Sequence, residues 1–240
     1  MAAQRLPGKP LADLAGRPLI EHVYRAALQA TAQSVVIATD NEAIREAATA
    51  FGAQVVMTRG DHHSGSDRIA ECTELLGWPD EAVIVNLQGD EPLMPAACLD
   101  QVADLLAADQ SACMASLYWP LDTAGEIEDA NIVKVVTDLT GTALLFSRSV
   151  VPYPREWGNL GLALQAGARW KRHIGLYACR AGALQSFSRT PPTPLETVEK
   201  LEQLRMLETG RRIVLAQACR WIPAGVDTPE DLERVRQLMK

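Results

Sequence analysis

The chain has 240 residues, enough for a full α/β core, and its 48% hydrophobic and 22% charged residues are typical of a globular protein. A formal net charge of −7 argues against a nucleic-acid partner, although local cations could still hold an anionic substrate. No Cys-x-x-Cys pair, signal-peptide pattern or apolar stretch near the roughly 18 residues of a membrane span is seen, so we expect a cytoplasmic protein with reduced cysteines and no membrane partner.

Strand-like and helix-like segments alternate through the first half of the chain. The predicted strands are 34–39, 54–58, 81–87 and 113–118, and the predicted helices are 18–31, 41–51, 66–76 and 95–108. This alternation predicts an α/β fold with a doubly wound, mostly parallel, Rossmann-like sheet.

The pattern changes in the second half. Two strand-like runs, 131–137 and 141–147, are separated by a short turn and predict a hairpin, and 171–179 predicts another strand. We interpret roughly 118–180 as an inserted antiparallel β element within one domain spanning 1–240. A helix over 195–209, a strand over 213–218 and a last helix from Pro229 complete the prediction.

An apolar run at 82–87 ends in Gln88-Gly89-Asp90-Glu91-Pro92. A buried strand would bring these carboxylates to its carboxyl end, where open α/β sheets bind ligands. Asp90 beside a glycine suits a Mg²⁺ ion that carries phosphates. The alternative is a strand followed by an ordinary acidic turn.

Two further segments could belong to the same site. Arg5, Gly8 and Lys9 lie in one loop that could cradle a polyphosphate, although it lacks the Walker A spacing and could equally be a disordered basic terminus. Near the other end, helix capping explains Thr228 and the residues after it but does not require Asp227. A second carboxylate there, paired with Asp90, would complete a Mg²⁺ site.

The segment 61–68 follows a strand and begins a helix. A helix that starts near Ser64 favours an anion or the polar edge of a nucleotide. Zinc bound by Asp61, His62 and His63 is disfavoured, because adjacent side chains on an extended loop point apart.

Two segments suggest a pocket for a polar ligand. His173, Gly175 and Tyr177 alternate on a strand and should share a face. Glu202 and Gln203 lie off the apolar face of the predicted 195–209 helix, which is formed by Val198, Leu201, Leu204 and Leu207. Half-buried structural residues and ordinary solvated side chains would produce the same patterns.

Taken together, the segments resemble the 3-deoxy-manno-octulosonate (Kdo) cytidylyltransferases. The matching motifs, in family order, are Arg-Leu-Pro-Gly-Lys-Pro-Leu at 5–11, Ala-Thr-Asp at 38–40, Asp-His-x-Ser-Gly at 61–65, Gln-Gly-Asp-Glu-Pro at 88–92, Phe-Ser-Arg at 146–148, Arg-His-x-Gly-x-Tyr at 172–177, Pro-Leu-Glu at 194–196, Leu-Glu-Gln-Leu-Arg at 201–205 and Gly-Val-Asp-Thr-Pro-Glu-Asp-Leu at 225–232. The motifs at 172–177 and 201–205 are the most specific for the Kdo group.

The resemblance implies that CTP and Kdo react, with Mg²⁺, to give CMP-Kdo and pyrophosphate for lipopolysaccharide biosynthesis in a cytoplasmic homodimer. It implies metal binding by Asp90 and Asp227 and catalytic roles for these two residues with Arg5 and Lys9. The implied nucleotide-binding residues are Arg5, Gly8, Lys9, Ser64, Gly65, Gln88 and Asp90. The implied sugar-binding residues are Arg68, Arg148, His173, Tyr177, Glu202 and Gln203.

One departure from the family concerns the start of the sequence. Family members begin with an apolar strand that ends in Pro-Ala-Arg directly before the phosphate loop. Here that strand and its arginine are missing, and residues 1–4 stand where the loop is already under way. A doubly wound sheet without this strand would expose two edges, at a cost above the roughly 5–15 kcal/mol by which domains are stable. We therefore expect an upstream start that encodes the missing strand.

Two alternatives remain open at this point. A cytidylyltransferase for another sugar acid, such as an 8-amino Kdo analogue, would carry much the same motifs, whereas a sialic acid enzyme is disfavoured by the segments around His173 and Glu202. The other alternative is a non-catalytic nucleotide-binding remnant. Against it, both candidate metal carboxylates and the sugar-pocket residues are present.

Overall fold

The computed structural model describes residues 6–62 and 64–239. A short 3-10 helix, Lys9–Leu11, comes first. The strands are β1 Asp13–Leu14, β2 Arg17–Pro18, β3 Val36–Thr39, β4 Gln54–Met57, β5 Val83–Asn86, β6 Met114–Leu121, β7 Lys134–Thr137, β8 Ala143–Ser147, β9 Trp170–Arg180 and β10 Ile213–Gln217. The α-helices are α1 Leu19–Ala27, α2 Glu42–Ala50, α3 Gly65–Leu75, α4 Ala96–Ala108, α5 Ala124–Glu128, α6 Leu160–Gln165, α7 Ala181–Ser188, α8 Pro194–Glu199, α9 Gln203–Glu208 and α10 Pro229–Leu238.

The main sheet is mixed and is organised around β9. The strands pair in the order β10-β6-β9-β7-β8, and β5 also pairs with β9. β10 and β6 are parallel, whereas β9 runs antiparallel to β5, β6 and β7. The eleven residues of β9 therefore join the strand that precedes Asp90 to the predicted hairpin strands.

The α/β fold predicted from the sequence is confirmed, with one break in the sheet. β3 and β4 form a separate parallel pair, and within the described residues no backbone pairing joins β3 to β5. The additional upstream strand and the division into one domain with an inserted element both stay predictions.

Helices cover both faces of the main sheet, because successive strand residues point to opposite faces and apolar side chains are buried on each. On one face, Ile84 and Met114 pack with residues of α3, α7 and α9, and on the other, Ala115 and Ala178 pack with residues of α4. None of the helices in the described part of the chain is both long and apolar enough to cross a bilayer.

The predicted helix 195–209 is two helices, which corrects the sequence-based prediction. Lys200 adopts the left-handed conformation, with φ 56° and ψ 47°, and ends α8. A left-handed residue cannot continue a right-handed helix, so α9 begins afresh at Gln203. As a result, Val198 is 81% exposed instead of lying on the predicted apolar face. Three helices, α5, α6 and α7, were not predicted from the sequence.

Candidate active site

Three predicted site residues meet beyond the carboxyl end of β5. The Lys9 Nζ donates to Asp90 Oδ2 at 2.6 Å and to Asp227 Oδ1 at 3.0 Å. One ammonium group therefore bridges two carboxylates that are 137 residues apart in sequence. Lys9 is well covered, with only 12% of its side chain exposed.

Local backbone features create this meeting point. Gly8, at φ 66°, turns the chain into the 3-10 helix that begins with Lys9. The backbone N–H of Val226 donates to the Asp90 carbonyl at 2.8 Å, which holds the Asp227 segment against the Asp90 turn. A Cβ on Gly225 would lie 2.9 Å from that carbonyl oxygen, so the close approach requires glycine.

The charges of the cluster shift two pKa values. Burial lowers the pKa of Lys9, but the hydrogen bonds and charges of Asp90 and Asp227 outweigh it, and the net shift is upward. Burial and the charge of Asp90 raise the pKa of Glu91 to about 7, although Arg172 and Lys9 oppose the rise. Glu91 was not among the predicted site residues, yet it is visible in the same Asp-Glu-Pro motif.

Asp90 and Asp227 fit a Mg²⁺ ion. They already converge on one cationic group, and Mg²⁺ in phosphate sites commonly takes one or two protein carboxylates and completes its shell with water and phosphate oxygens. No set of three or more metal-ligating side chains occurs in the part of the chain that the structure describes. His62 contacts Glu71 instead, and His63 lies outside the described residues.

The first turn of α3 lies beside Gln88. Ser64 caps this helix by accepting from the Asp67 backbone N–H at 3.1 Å. A Cβ on Gly65 would be 3.8 Å from Gln88 Oε1, so the predicted nucleotide-binding residues Ser64, Gly65 and Gln88 share one region. This region is continuous with Asp90, two residues after Gln88.

Arg68 points to the ends of β3 and β4. Its guanidinium donates to Thr58 Oγ1 at 2.6 Å and to Asp40 Oδ2 at 2.8 Å. Burial raises the pKa of Asp40, but the hydrogen bond and charge of Arg68 outweigh it and lower the pKa overall. Among the described contacts, the Arg68 guanidinium therefore bonds Asp40 of the Ala-Thr-Asp motif and Thr58 after β4, and not the other predicted sugar-binding residues.

His173 and Tyr177 do share a face, although a β-bulge separates them. The rings lie 5.4 Å apart by centroid, and the register shift falls opposite Ser116 and Leu117. The buried Ser116 hydroxyl is 3.0 Å from His173 Nε2 and from the carbonyl oxygens of Ile174 and Leu176, so it holds the backbone on both sides of Gly175 in the bulge. Nothing in the sequence pattern singled out Ser116.

Burial keeps both rings uncharged. It lowers the pKa of His173 to about 3, with Arg172 adding to the effect. Burial and the charge of Glu202 raise the pKa of Tyr177. The pair therefore offers a neutral imidazole and a phenol as hydrogen-bonding groups at physiological pH.

The break at Lys200 places Glu202 and Gln203 at the start of α9. Ser66 Oγ donates to Glu202 Oε2 at 2.9 Å, which joins the α3 turn to α9. Burial raises the pKa of Glu202, against the lowering effect of Ser66. Gln203 is only 4% exposed, and its buried Nε2 has no hydrogen-bond partner among the described residues.

Arg148 reinforces the same break from the other side. Its Nε donates to the Glu199 carbonyl at 2.8 Å, and its backbone N–H donates to Glu199 Oε2 at 3.0 Å. Ser147 Oγ adds a bond to Glu199 Oε1 at 2.6 Å. Arg148 thus holds the end of β8 against the end of α8. The last predicted site residue, Arg5, lies outside the described residues.

Comparisons with known proteins identify the class. The sequence profile of the family described as "Cytidylyltransferase" matches residues 1–213. The structure of CMP:2-keto-3-deoxy-manno-octonic acid synthetase in complex with CTP superposes with a TM-score of 0.90 at 39% identity, covering 98% of this chain and 93% of that one. Crystalline 4-diphosphocytidyl-2C-methyl-D-erythritol synthase, at 15% identity and a TM-score of 0.62 over 97% of this chain and 95% of its own, shows the same fold alone. The fold and site define a nucleotidyltransferase of the cytidylyltransferase class.

Two curated relatives narrow the class to a family. The 3-deoxy-manno-octulosonate cytidylyltransferase of Pseudomonas syringae pv. syringae (strain B728a) is 49% identical over 243 residues, covering 99% of this chain and 94% of its own length. The enzyme with the same name from Haemophilus influenzae (strain 86-028NP) is 50% identical over 241 residues, with the same coverage. The chain belongs to the 3-deoxy-manno-octulosonate cytidylyltransferase family.

Proposed function

We propose that this enzyme transfers CMP from CTP to Kdo in a Mg²⁺-dependent reaction that releases pyrophosphate. One observation carries the proposal. The bond from Ser66 to Glu202 connects the nucleotide side of the site, at the first turn of α3, with the sugar side at α9. A nucleotide near Gly65 and Gln88 and a sugar acid near Glu202 would therefore be neighbours, as direct transfer requires.

The residues that would surround the triphosphate of CTP neutralise its negative charge. Lys9, with Arg5 from the same loop, is suited to the triphosphate because an ammonium that already bridges two carboxylates can exchange them for phosphate oxygens. Asp90 and Asp227 would hold Mg²⁺, which when bound neutralises phosphate charge and lowers the pKa of a coordinated hydroxyl. Pyrophosphate would leave with the developing charge stabilised by the lysine and arginine.

The sugar side positions a hydroxylated acid. His173 and Gln203 present buried, neutral hydrogen-bonding groups, and Tyr177 adds a partly buried phenol. The Gln203 Nε2, which has no partner among the described residues, can donate to a ligand. Bound in this way, the anomeric hydroxyl of Kdo would attack the α-phosphorus in line, with no covalent enzyme intermediate. We assign a positioning role to Arg148, which holds the end of α8 through the Glu199 carbonyl. Arg68 would lie at the edge of the sugar pocket, where it is bonded to Asp40.

A pyrophosphate-release assay tests this proposal. We expect release only when CTP, Kdo and Mg²⁺ are all present, and loss of activity when EDTA is added. Replacing Kdo by its 8-amino analogue or by a sialic acid distinguishes the alternative sugar-acid enzymes. CTP binding by folded protein without turnover on any sugar acid would favour the non-catalytic alternative.

We further propose that the product supplies lipopolysaccharide biosynthesis in the cytoplasm and that the enzyme is a homodimer. Support for the dimer comes from exposed apolar side chains on β8 and α8, where Leu144 is 60% and Val198 81% exposed. Light scattering after gel filtration should give twice the 26.1 kDa chain mass. A 26.1 kDa species at micromolar concentration would contradict the dimer.

A further inference from the structure

Two of the five cysteines lie side by side, away from the site described above. Cys98 is in the first turn of α4 and is fully buried, and Cys219 follows β10 and is exposed. Their Sγ atoms are 3.8 Å apart, although the residues are 121 positions apart in sequence. The cysteines are scattered along the sequence without a Cys-x-x-Cys pair, so the sequence gives no sign that these two are neighbours.

The backbone around the two thiols is already held in place. Gln101 of α4 accepts from the Cys219 backbone N–H at 2.8 Å and donates to the Gln217 carbonyl at 2.8 Å. The Cys98 thiol also lies 3.8 Å from the Arg220 carbonyl oxygen. A disulfide has an S–S length of about 2.05 Å, so the two sulfurs need to approach each other by less than about 2 Å to form the bond.

We propose that Cys98 and Cys219 form a thiol–disulfide exchange site that reacts with low-molecular-weight disulfides and reversibly crosslinks α4 to the segment leading to Asp227. The inference does not depend on the substrate of the enzyme. Both thiols are reduced in the structure, and the crosslink would form under oxidising conditions.

Accessibility sets the order of the two chemical steps. The exposed Cys219 thiolate attacks one sulfur of the small disulfide, whose S–S bond breaks and releases one thiolate. Cys98 then gives up its proton and attacks the Cys219 sulfur, releasing the second small thiol. Two protein thiols are oxidised and one small disulfide is reduced to two thiols. Burial raises the pKa of Cys98 to about 11, which suits the second, resolving position better than the first.

The crosslink would connect the two segments that carry the candidate metal carboxylates. α4 begins shortly after the Asp90 turn, and the chain after Cys219 runs to Asp227. The Val226–Asp90 backbone bond already holds these segments together at 2.8 Å, so a bridge nearby restrains a contact that exists in the reduced protein. We expect slower opening of residues 220–226.

Mass spectrometry after oxidation tests the proposal. The full chain is incubated with glutathione disulfide, alkylated, digested and analysed. We expect one crosslinked peptide pair that joins Cys98 to Cys219 and disappears with dithiothreitol. A lasting glutathione adduct on Cys219, a crosslink to another cysteine or an unmodified chain would each overturn it.

Variants and hydrogen exchange complete the test. Cys98→Ser should stop at the adduct on Cys219, Cys219→Ser should leave Cys98 unmodified, and Cys113→Ser should keep the crosslink as a matched control. The Cys219→Ser result stands even if replacing the buried Cys98 prevents folding. Amide exchange in 220–226 should slow at least severalfold in the crosslinked protein. Unchanged exchange would overturn the coupling to the Asp227 segment.

Discussion

At the scale of single residues, Glu91 makes stability depend on pH. Its folded pKa of about 7 lies above its ordinary value of 4.5, so the folded state binds the proton more tightly than the unfolded state does. Its contribution is therefore fully present below pH 4.5 and is lost as the pH rises through 7. The loss is at most about 3 kcal/mol, since each pKa unit corresponds to about 1.4 kcal/mol.

Glu91→Gln should remove this dependence, because an amide resembles the protonated acid and has no charge to bury. We expect the variant to exceed the wild type in free energy of unfolding at pH 8 and to match it near pH 4.5. Urea unfolding of both proteins at pH 8 and at pH 4.5 measures these free energies, with EDTA present to keep metal ions from binding. Equal pH profiles for the two proteins would show that Glu91 does not titrate as the structure indicates.

Gln203 should show opposite effects on stability and on substrate binding. Gln203→Leu removes a buried Nε2 that has no hydrogen-bond partner among the described residues, so we expect the free energy of unfolding to stay level or rise by about 1 kcal/mol. The KM for Kdo should rise about tenfold, the cost of one substrate hydrogen bond, while the KM for CTP changes little.

Gln101→Leu is the matched control for Gln203. Its amide bonds the Gln217 carbonyl and the Cys219 N–H, so this variant should lose about 1 kcal/mol of stability and keep its KM for Kdo. If Gln203→Leu is strongly destabilised and the KM for Kdo stays constant, Gln203 is a structural residue.

At the scale of elements, the break between α8 and α9 depends on Lys200. At a left-handed position glycine avoids the steric cost that any other residue pays, so Lys200→Gly should be more stable than Lys200→Ala by up to about 1 kcal/mol. Glu46, which is exposed in the middle of α2, is the control position. There the order should reverse, and Glu46→Gly should be about 1 kcal/mol less stable than Glu46→Ala. Denaturant unfolding of the four variants decides, and the same order at both positions would contradict a left-handed Lys200.

The same break shows what sequence patterns could and could not predict. Strand and helix periodicity predicted β3 to β10 and the helices α1 to α4 and α10 closely, because burial on one face sets the period of each element. The left-handed conformation of Lys200 has no such signature in the sequence, since the end of α8 is held by tertiary contacts such as those of Glu199 with Ser147 and Arg148. The bulge in β9 could not be predicted from the sequence for the same reason, because it depends on a contact with Ser116 of the neighbouring strand β6.

At the scale of the whole molecule, topology brings distant motifs together. Lys9, Asp90 and Asp227 come from three separate sequence motifs, and the fold brings their side chains into contact. What sequence could not give is the central place of β9, which pairs antiparallel with strands from both halves of the chain. Pairing between strands far apart in sequence is set by the packing of the complete sheet, and local patterns do not encode it.

Nucleotide binding should stabilise the whole fold, because the proposed ligand contacts segments from both ends of the chain. CTP with Mg²⁺ at about 100 times its dissociation constant should add about 2.7 kcal/mol, which raises the thermal midpoint by roughly 5–10 °C. Asp227→Asn should lose most of this shift, while Asp104→Asn, an exposed control on α4, should keep it. An equal shift in both variants would exclude Asp227 from the nucleotide site.

The most direct measurement is steady-state pyrophosphate release from CTP and Kdo with Mg²⁺, by the wild type, Asp90→Asn and the control Asp104→Asn. We predict turnover that requires both substrates and the metal, a loss of at least about 100-fold in kcat for Asp90→Asn, and wild-type rates for Asp104→Asn. Absence of turnover in wild-type protein shown to be folded, or full activity of Asp90→Asn, would contradict this prediction.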